Sequence, residues 1–197
     1  MPKSMVEEKL SHRTRLDTYD NSWFDTGRNI IVRSLWYFVN VIFFINPLNP
    51  VSFFKVFLLR LFGAKVGKGV NIKPAVNIKY PWKLEIGDYA WIGEKVWIDN
   101  LTEVKIGANA CLSQGAMLLT GNHNYKKKSF DLMLGEIHIE EGAWIGAQAT
   151  VCPGVRCNSH SILSVGSTAT TDLKAWTIYQ GNPAKAIRKR KFEENHE

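Results

Sequence analysis

The chain has 197 residues, 45% hydrophobic and 22% charged, which suits one globular domain with an appendage and argues against disorder away from the ends. Its net charge of +7 favours anionic partners such as phosphates, nucleotides or an acidic membrane surface. The cations are spread along the chain apart from the runs 126–128 and 188–191, so no nucleic acid is expected as a partner.

Residues 1–28 are polar and are expected to be irregular, and because residues 1–20 are polar and charged no export signal is expected there. Cys111, Cys152 and Cys157 form no CxxC pair and read as reduced thiols, so a cytoplasmic location is expected. From Asn29 to Phe62 the chain is strongly apolar and predicted helical, with Pro47 and Pro50 dividing it. The uncharged core of its first half, Ser34 to Asn46, is shorter than the roughly 20 residues that span a bilayer. Two roles fit this segment. It can cap an exposed edge of the fold, or lie in a membrane interface with Arg33, Trp36, Tyr37, Lys55 and Arg60 at headgroup level. The expectation is a mixture, with some residues capping and the rest touching the membrane peripherally.

A repeat decides the fold. Aliphatic residues recur every six positions, with two residues added after every third, at Val66, Ile72, Ile78, Ile86, Ile92, Ile98, Ile106, Leu112 and Leu118, and at a six-residue spacing again at Ile139, Ile145, Val151, Cys157 and Leu163. A period of six fits neither a helix face nor strand alternation. It fits a solenoid in which three hexads make one triangular coil and each aliphatic stacks on its counterpart about 4.8 Å along. Glycines follow several of these residues (Gly67, Gly87, Gly93, Gly107 and Gly146) and are expected to supply positive φ at the turns. The expected units are an N-terminal extension over 1–62, a β-helix over 63–183 with a loop at 120–136, and a basic C-terminal helix or tail over 184–197.

The register breaks once, between Leu118 and Ile139. A long insertion in a regular solenoid is usually functional. His123 stands at its start, and an imidazole, which titrates near pH ~6.5, can take a proton from a hydroxyl at neutral pH. A histidine beside asparagines can also merely cap a turn, but placement at the one break favours a catalytic role. His138 is expected to point outward and His160 to sit in a turn. Together with His123 they are too scattered for a metal set, so no metal is expected.

The glycine-led hexads, the looped histidine and the ending Gly181-Asn182-Pro183-Ala184-Lys185 resemble the hexapeptide-repeat acetyltransferases. The stretches Asn77-Ile78-Lys79-Tyr80-Pro81-Trp82-Lys83-Leu84, Trp97-Ile98-Asp99-Asn100 and Thr120-Gly121-Asn122-His123 resemble the colanic acid biosynthesis acetyltransferase group among them. The resemblance implies a mainly β fold: a left-handed parallel β-helix with a helical hydrophobic N-terminal segment and a short C-terminal helix. It implies a homotrimer that O-acetylates a sugar, free, nucleotide-linked or lipid-linked, from acetyl-coenzyme A in surface polysaccharide synthesis. His123 would be the general base, with a backbone N–H near Ala147 at the oxyanion and no acyl-enzyme. It further implies coenzyme contacts from Trp144, Gly146, Ala147, Val165, Gly166 and Thr170, with Lys185 and Arg188 near the phosphates. Val165 stands where the family usually has alanine, and Thr171 where it usually has lysine. Asp99, Asn100 and Asn122 are the candidates for holding the acceptor, and Lys126–Lys128 for attracting a phosphate on it. N-acetylation of an amino sugar and a non-catalytic structural subunit remain the alternatives.

Overall fold

The computed structural model describes residues 13–193; the expectations for 1–12 and 194–197 lie outside it. Short strands stack in parallel into three walls of a left-handed triangular prism. The first wall comprises Lys65–Val66, Leu84–Ile86, Val104–Ile106, Ile137–Ile139 and Arg156–Cys157. The second runs from Asn71–Ile72 through Trp91–Ile92, Cys111–Leu112, Trp144–Ile145 and Ile162–Leu163 to Thr177–Gln180. The third holds Asn77–Ile78, Trp97–Asp99, Met117–Leu119, Thr150–Val151 and Thr168–Ala169.

The six-residue register holds in three dimensions. Ile72 lies under Ile92, then Leu112, Ile145 and Leu163, while Ile78, Ile98, Leu118, Val151 and Ala169 form the matching column of the third wall. All of these side chains are buried, each aliphatic contributing roughly 1.5–3 kcal/mol of burial. Cys157 continues the first column above Ile139. Its burial, reinforced by the carboxylates of Asp172 and Glu140, pushes the thiol far above its ordinary pKa, so it acts as a small core hydrophobe.

The glycines that follow the aliphatics do not supply positive φ. That conformation falls two residues later, at Gly69, Tyr89, Lys95, Asn109 and Gln148. Gly93 and Gly146 are needed because of the next coil: a Cβ would stand 2.8 Å and 2.7 Å from the carbonyl oxygens of Leu112 and Leu163. Close stacking of backbone on backbone, rather than turn conformation, sets the glycine period.

Two helices, α1 (Ile30–Val39) and α2 (Ser52–Leu61), joined through a π-helical turn at Asn40–Ile45, cover the open edge of the first coil. Its strands have no coil beneath them, and side chains satisfy the exposed backbone. Trp36 Nε1 donates to the Ile78 carbonyl (2.9 Å), and Ser52 Oγ accepts from Ile72 N–H (2.8 Å). Lys55 Nζ donates to the Lys73 carbonyl (2.8 Å), and the Arg60 guanidinium reaches Val66 and Gly67. Trp36, Lys55 and Arg60 therefore belong to the cap, not to a headgroup layer. Lys55 is fully buried, and desolvation lowers its pKa from the usual lysine value.

At the far end the expected C-terminal helix is, over the described residues, a strand. Lys185–Lys189 folds back antiparallel on Thr177–Gln180 and extends the second wall. The turn through Gly181–Ala184 reverses the chain, and the returning strand covers an edge that would otherwise be bare.

Candidate active site

The insertion is a β-hairpin rather than an irregular loop. Gly121–His123 pairs antiparallel with Leu132–Leu134, so His123 ends a strand of the hairpin instead of opening a loop. Its root is Thr120, whose side chain is fully buried. Thr120 Oγ1 donates to the Asp99 carbonyl (2.9 Å), and the Thr120 carbonyl accepts from Gly135 N–H (2.9 Å), so the chain leaves and rejoins the prism at one residue. Gly135 is confined there, because a Cβ would lie 2.4 Å from Gly154 N.

The His123 ring is held on three sides. Its Nδ1 is 2.8 Å from the Phe130 carbonyl oxygen. A carbonyl only accepts, so in the neutral ring Nδ1 carries the hydrogen and Nε2 keeps its lone pair. The Phe130 ring stacks on the imidazole at 4.5 Å and 7°, and Tyr19 lies tilted at 5.7 Å. Phe130 is in the left-handed region (φ 54°), which brings its carbonyl and ring back toward His123. Tyr19 arrives from the polar N-terminal segment, which is ordered along this side. Arg15 N–H donates to the Lys128 carbonyl (2.7 Å), Trp82 Nε1 to the Thr26 carbonyl (2.7 Å), and Lys83 Nζ to the Asp25 carbonyl (2.8 Å). Nothing in the polar composition of residues 13–28 signalled this strap. Lys127, expected as a phosphate lure, is paired with Asp131 at 2.7 Å.

Asn122 accepts the His123 backbone N–H at 2.8 Å through Oδ1, which leaves its amide hydrogens exposed. Asp99 pairs with Lys79 at 2.9 Å and lines a cleft of about 550 Å³ between α1 and the third wall. Asn100 does not reach that surface. Its side chain is fully buried, accepting from Tyr80 N–H (3.0 Å) and donating to the Tyr80 (2.6 Å) and Lys83 (3.2 Å) carbonyls. Its expected place in an acceptor pocket is corrected to that of a turn lock.

The candidate coenzyme residues fall around the upper third wall. Ala147 and Gly166 belong to stacked turns at one edge, with Gly166 N–H donating to the Ala147 carbonyl at 2.9 Å. The Ala147 N–H makes no hydrogen bond among the described residues. Val165 is 68% exposed, so it stands out from this edge, and Gly166 (φ 64°) has open space where a Cβ would be. Thr170 is exposed at the opposite edge, just past the strand Thr168–Ala169. Lys185 follows Ala184, whose N–H donates to the Thr168 carbonyl at 2.8 Å, so it sits over the end of this wall. Trp144 and Arg188 lie instead on the second wall, in a cleft of about 570 Å³ shared with Ile162, Ile178 and the basic tail.

His138 faces outward between Lys105 and Arg156, and His160 sits in a turn stacked on Trp176 at 4.2 Å. Among the described residues no three histidine, cysteine or acidic side chains gather as a metal site. Burial raises the pKa of Cys111, against an opposing hydrogen bond from Ser113, and raises that of Cys152. Neither thiol is activated.

No family model matches the chain. It is 40% identical over 164 residues, 83% of this chain and 90% of the relative, to a protein of Escherichia coli K12 described as the colanic acid biosynthesis acetyltransferase WcaF. Its fold is similar to a hexapeptide-repeat acetyltransferase from Vibrio cholerae solved with acetyl-coenzyme A, with TM-score 0.75 and 19% identity over 93% of this chain and 99% of that one. A galactoside acetyltransferase in complex with coenzyme A gives TM-score 0.71 and 23% identity over 81% and 80%. With two-fifths of its residues shared along nearly the whole of that enterobacterial relative, the chain belongs to the colanic acid biosynthesis acetyltransferases, a branch of the hexapeptide-repeat acyltransferases.

Proposed function

We propose that the protein moves the acetyl group of acetyl-coenzyme A to a hydroxyl of a saccharide made for a surface polysaccharide, with His123 as general base. The observation that carries this reading is the bond from His123 Nδ1 to the Phe130 carbonyl, which leaves Nε2 free to accept a proton. Nε2 takes the proton of the sugar O–H as that oxygen attacks the thioester carbonyl. A C–O bond forms and the carbonyl oxygen becomes an oxyanion. The unbonded Ala147 N–H suits that charge, a contribution of about 3 kcal/mol in such sites. Collapse breaks the C–S bond, and the imidazolium returns its proton to the leaving thiolate. The products are an acetyl ester and coenzyme A. No cysteine or metal takes part.

Ala147, Val165, Gly166 and Thr170 would flank the pantetheine arm along the third wall, with Trp144 and Gly146 beside it. Lys185 and Arg188, both exposed cations, suit the phosphates. Asp99 and the Asn122 amide would hold acceptor hydroxyls. We assign a homotrimer in which the thioester reaches His123 from a neighbouring copy. The outward residues of the walls support an assembly: the first wall presents Lys65, Glu85, Lys105, His138 and Arg156, whereas the others present the exposed Trp91, Trp97 and Trp144. The reaction belongs in the cytoplasm, where acetyl-coenzyme A is made, at the inner face of the membrane.

The test is mass spectrometry of products from acetyl-coenzyme A and a panel of free, nucleotide-linked and lipid-linked saccharides. An ester on a hydroxyl is expected, with His123→Ala losing about 100-fold or more in turnover while still binding coenzyme. Unchanged turnover in that variant, or an amide product, overturns the reading.

A further inference from the structure

The N-terminal cap has two faces of opposite character. The inner face, with Trp36, Phe44 and Leu59 buried, closes the first coil. The outer face carries Leu35, Phe38 and Ile42 along α1 and its π-helical extension, and Phe53, Phe57 and Leu61 along α2. Each is at least half exposed, Phe53 at 79%. The spacings, three and four residues in the first set and four and four in the second, place each set on one helical stripe. The stripes adjoin a cleft of about 480 Å³ bordered by Leu48, itself 85% exposed. A patch of this kind on a folded protein marks an interaction surface.

Charge identifies the partner. Residues 26–84, which form this cap and the first coil, contain nine lysines and arginines and no aspartate or glutamate. The rest of the chain holds sixteen such cations against eighteen acids, so the capped end is net positive, as is the far end, where residues 173–192 hold six cations and no acid. Pressing two such ends together would oppose like charges, which disfavours a second copy as the occupant. No described helix is long and apolar enough to cross a membrane, so the apolar stripes suit lying in an interface rather than spanning it.

We propose that the outer face of α1, the π-helical turn and α2 docks on an anionic phospholipid bilayer, with the first-coil cations over the headgroups. The prism then stands on the membrane by its capped end. The His123 hairpin leaves the third coil, about 10 Å above the first at the normal strand spacing. This docking surface does not depend on the catalytic reading, and its test does not use activity.

Full-length protein is floated with vesicles of phosphatidylcholine alone, or with about a third phosphatidylglycerol. Partition onto the anionic vesicles is expected to be at least about tenfold higher, and to fall when salt rises from about 0.1 to about 0.5 M. Two variants probe the two forces separately. Leu35→Ser/Phe53→Ser/Phe57→Ser removes apolar contact, and Lys68→Glu/Lys73→Glu reverses two exposed first-coil charges while leaving the helices intact. Each should lower partition about tenfold with the thermal midpoint retained. Equal partition on both vesicles, or none, overturns the proposal. A drop in oligomeric mass in the apolar variant with flotation unchanged also overturns it, and assigns the face to a second copy.

Discussion

A side chain in the coils and one in the hairpin are held in different ways. Ile98 sits between Ile78 and Leu118, its equivalents one coil below and above, and its position follows from the register alone. His123 is held by Phe130, seven residues on, and by Tyr19, more than a hundred residues earlier, through contacts that occur once. The first arrangement is cumulative and serves stability. The second is singular and, on the proposed function, serves chemistry. Substitutions in the buried aliphatic columns should therefore move stability and leave the reaction alone, and substitutions around His123 should do the reverse.

The largest stability effect is expected in the buried column of the second wall, away from the hairpin that leaves the third wall. Ile92 is almost fully buried between Ile72 and Leu112, and Ile92→Ala should cost about 2–5 kcal/mol in chemical denaturation. Turnover per folded molecule should stay within about twofold of the parent. A large loss of turnover in the still-folded variant would mean that the coils tune the site, and the division would fail.

Asn100 sharpens the comparison, since it adjoins the site in sequence and belongs to the coils in structure. All three bonds of its amide go to the backbone of Tyr80 and Lys83. Asn100→Ala strands buried polar groups of that turn and should destabilise by about 1–3 kcal/mol. The acceptor KM should not change. A raised KM at full stability would return Asn100 to the acceptor pocket.

The contrast also explains what was legible beforehand. The walls could be read because repetition averages out local ambiguity: a dozen hexads cannot all misreport one register. The break after Leu118 could be read for the same reason, and with it His123. The hexad glycines were misjudged because short-range rules treat glycine as a turn former, and Asn100 because its place beside Asp99, one coil below the hairpin, suggested an acceptor contact. The deciding contacts, to Tyr80 and to the Leu112 and Leu163 carbonyls, come from the neighbouring coil. Tyr19 and the strap had no periodic signal at all. The C-terminal strand was missed because its basic composition says little about helix or strand, and the exposed edge of Thr177–Gln180 settles the matter.

The smallest effect concerns acid and falls on the hairpin tip. Hydrogen bonds from the Lys127 ammonium and then the Ser129 hydroxyl hold the Asp131 carboxyl below its usual range. The pKa is therefore lower in the ordered tip than in an unfolded chain, where a carboxyl titrates near 3.9. For a depressed carboxyl the stabilisation is complete above the unfolded value and is lost as pH falls through the folded one. The group is half-buried and its ion pair is screened by solvent, so the loss should be local. Amide resonances of residues 124–131 should shift together as pH drops below about 4, while the second wall, insulated by aliphatic columns, stays unchanged. Asp131→Asn should remove that acid transition. A transition that persists in the variant would assign the tip's order to the backbone bonds of Arg15 with Lys128 and of Asn124 with Asp131. The hairpin would then share the pH-independent footing of the coils.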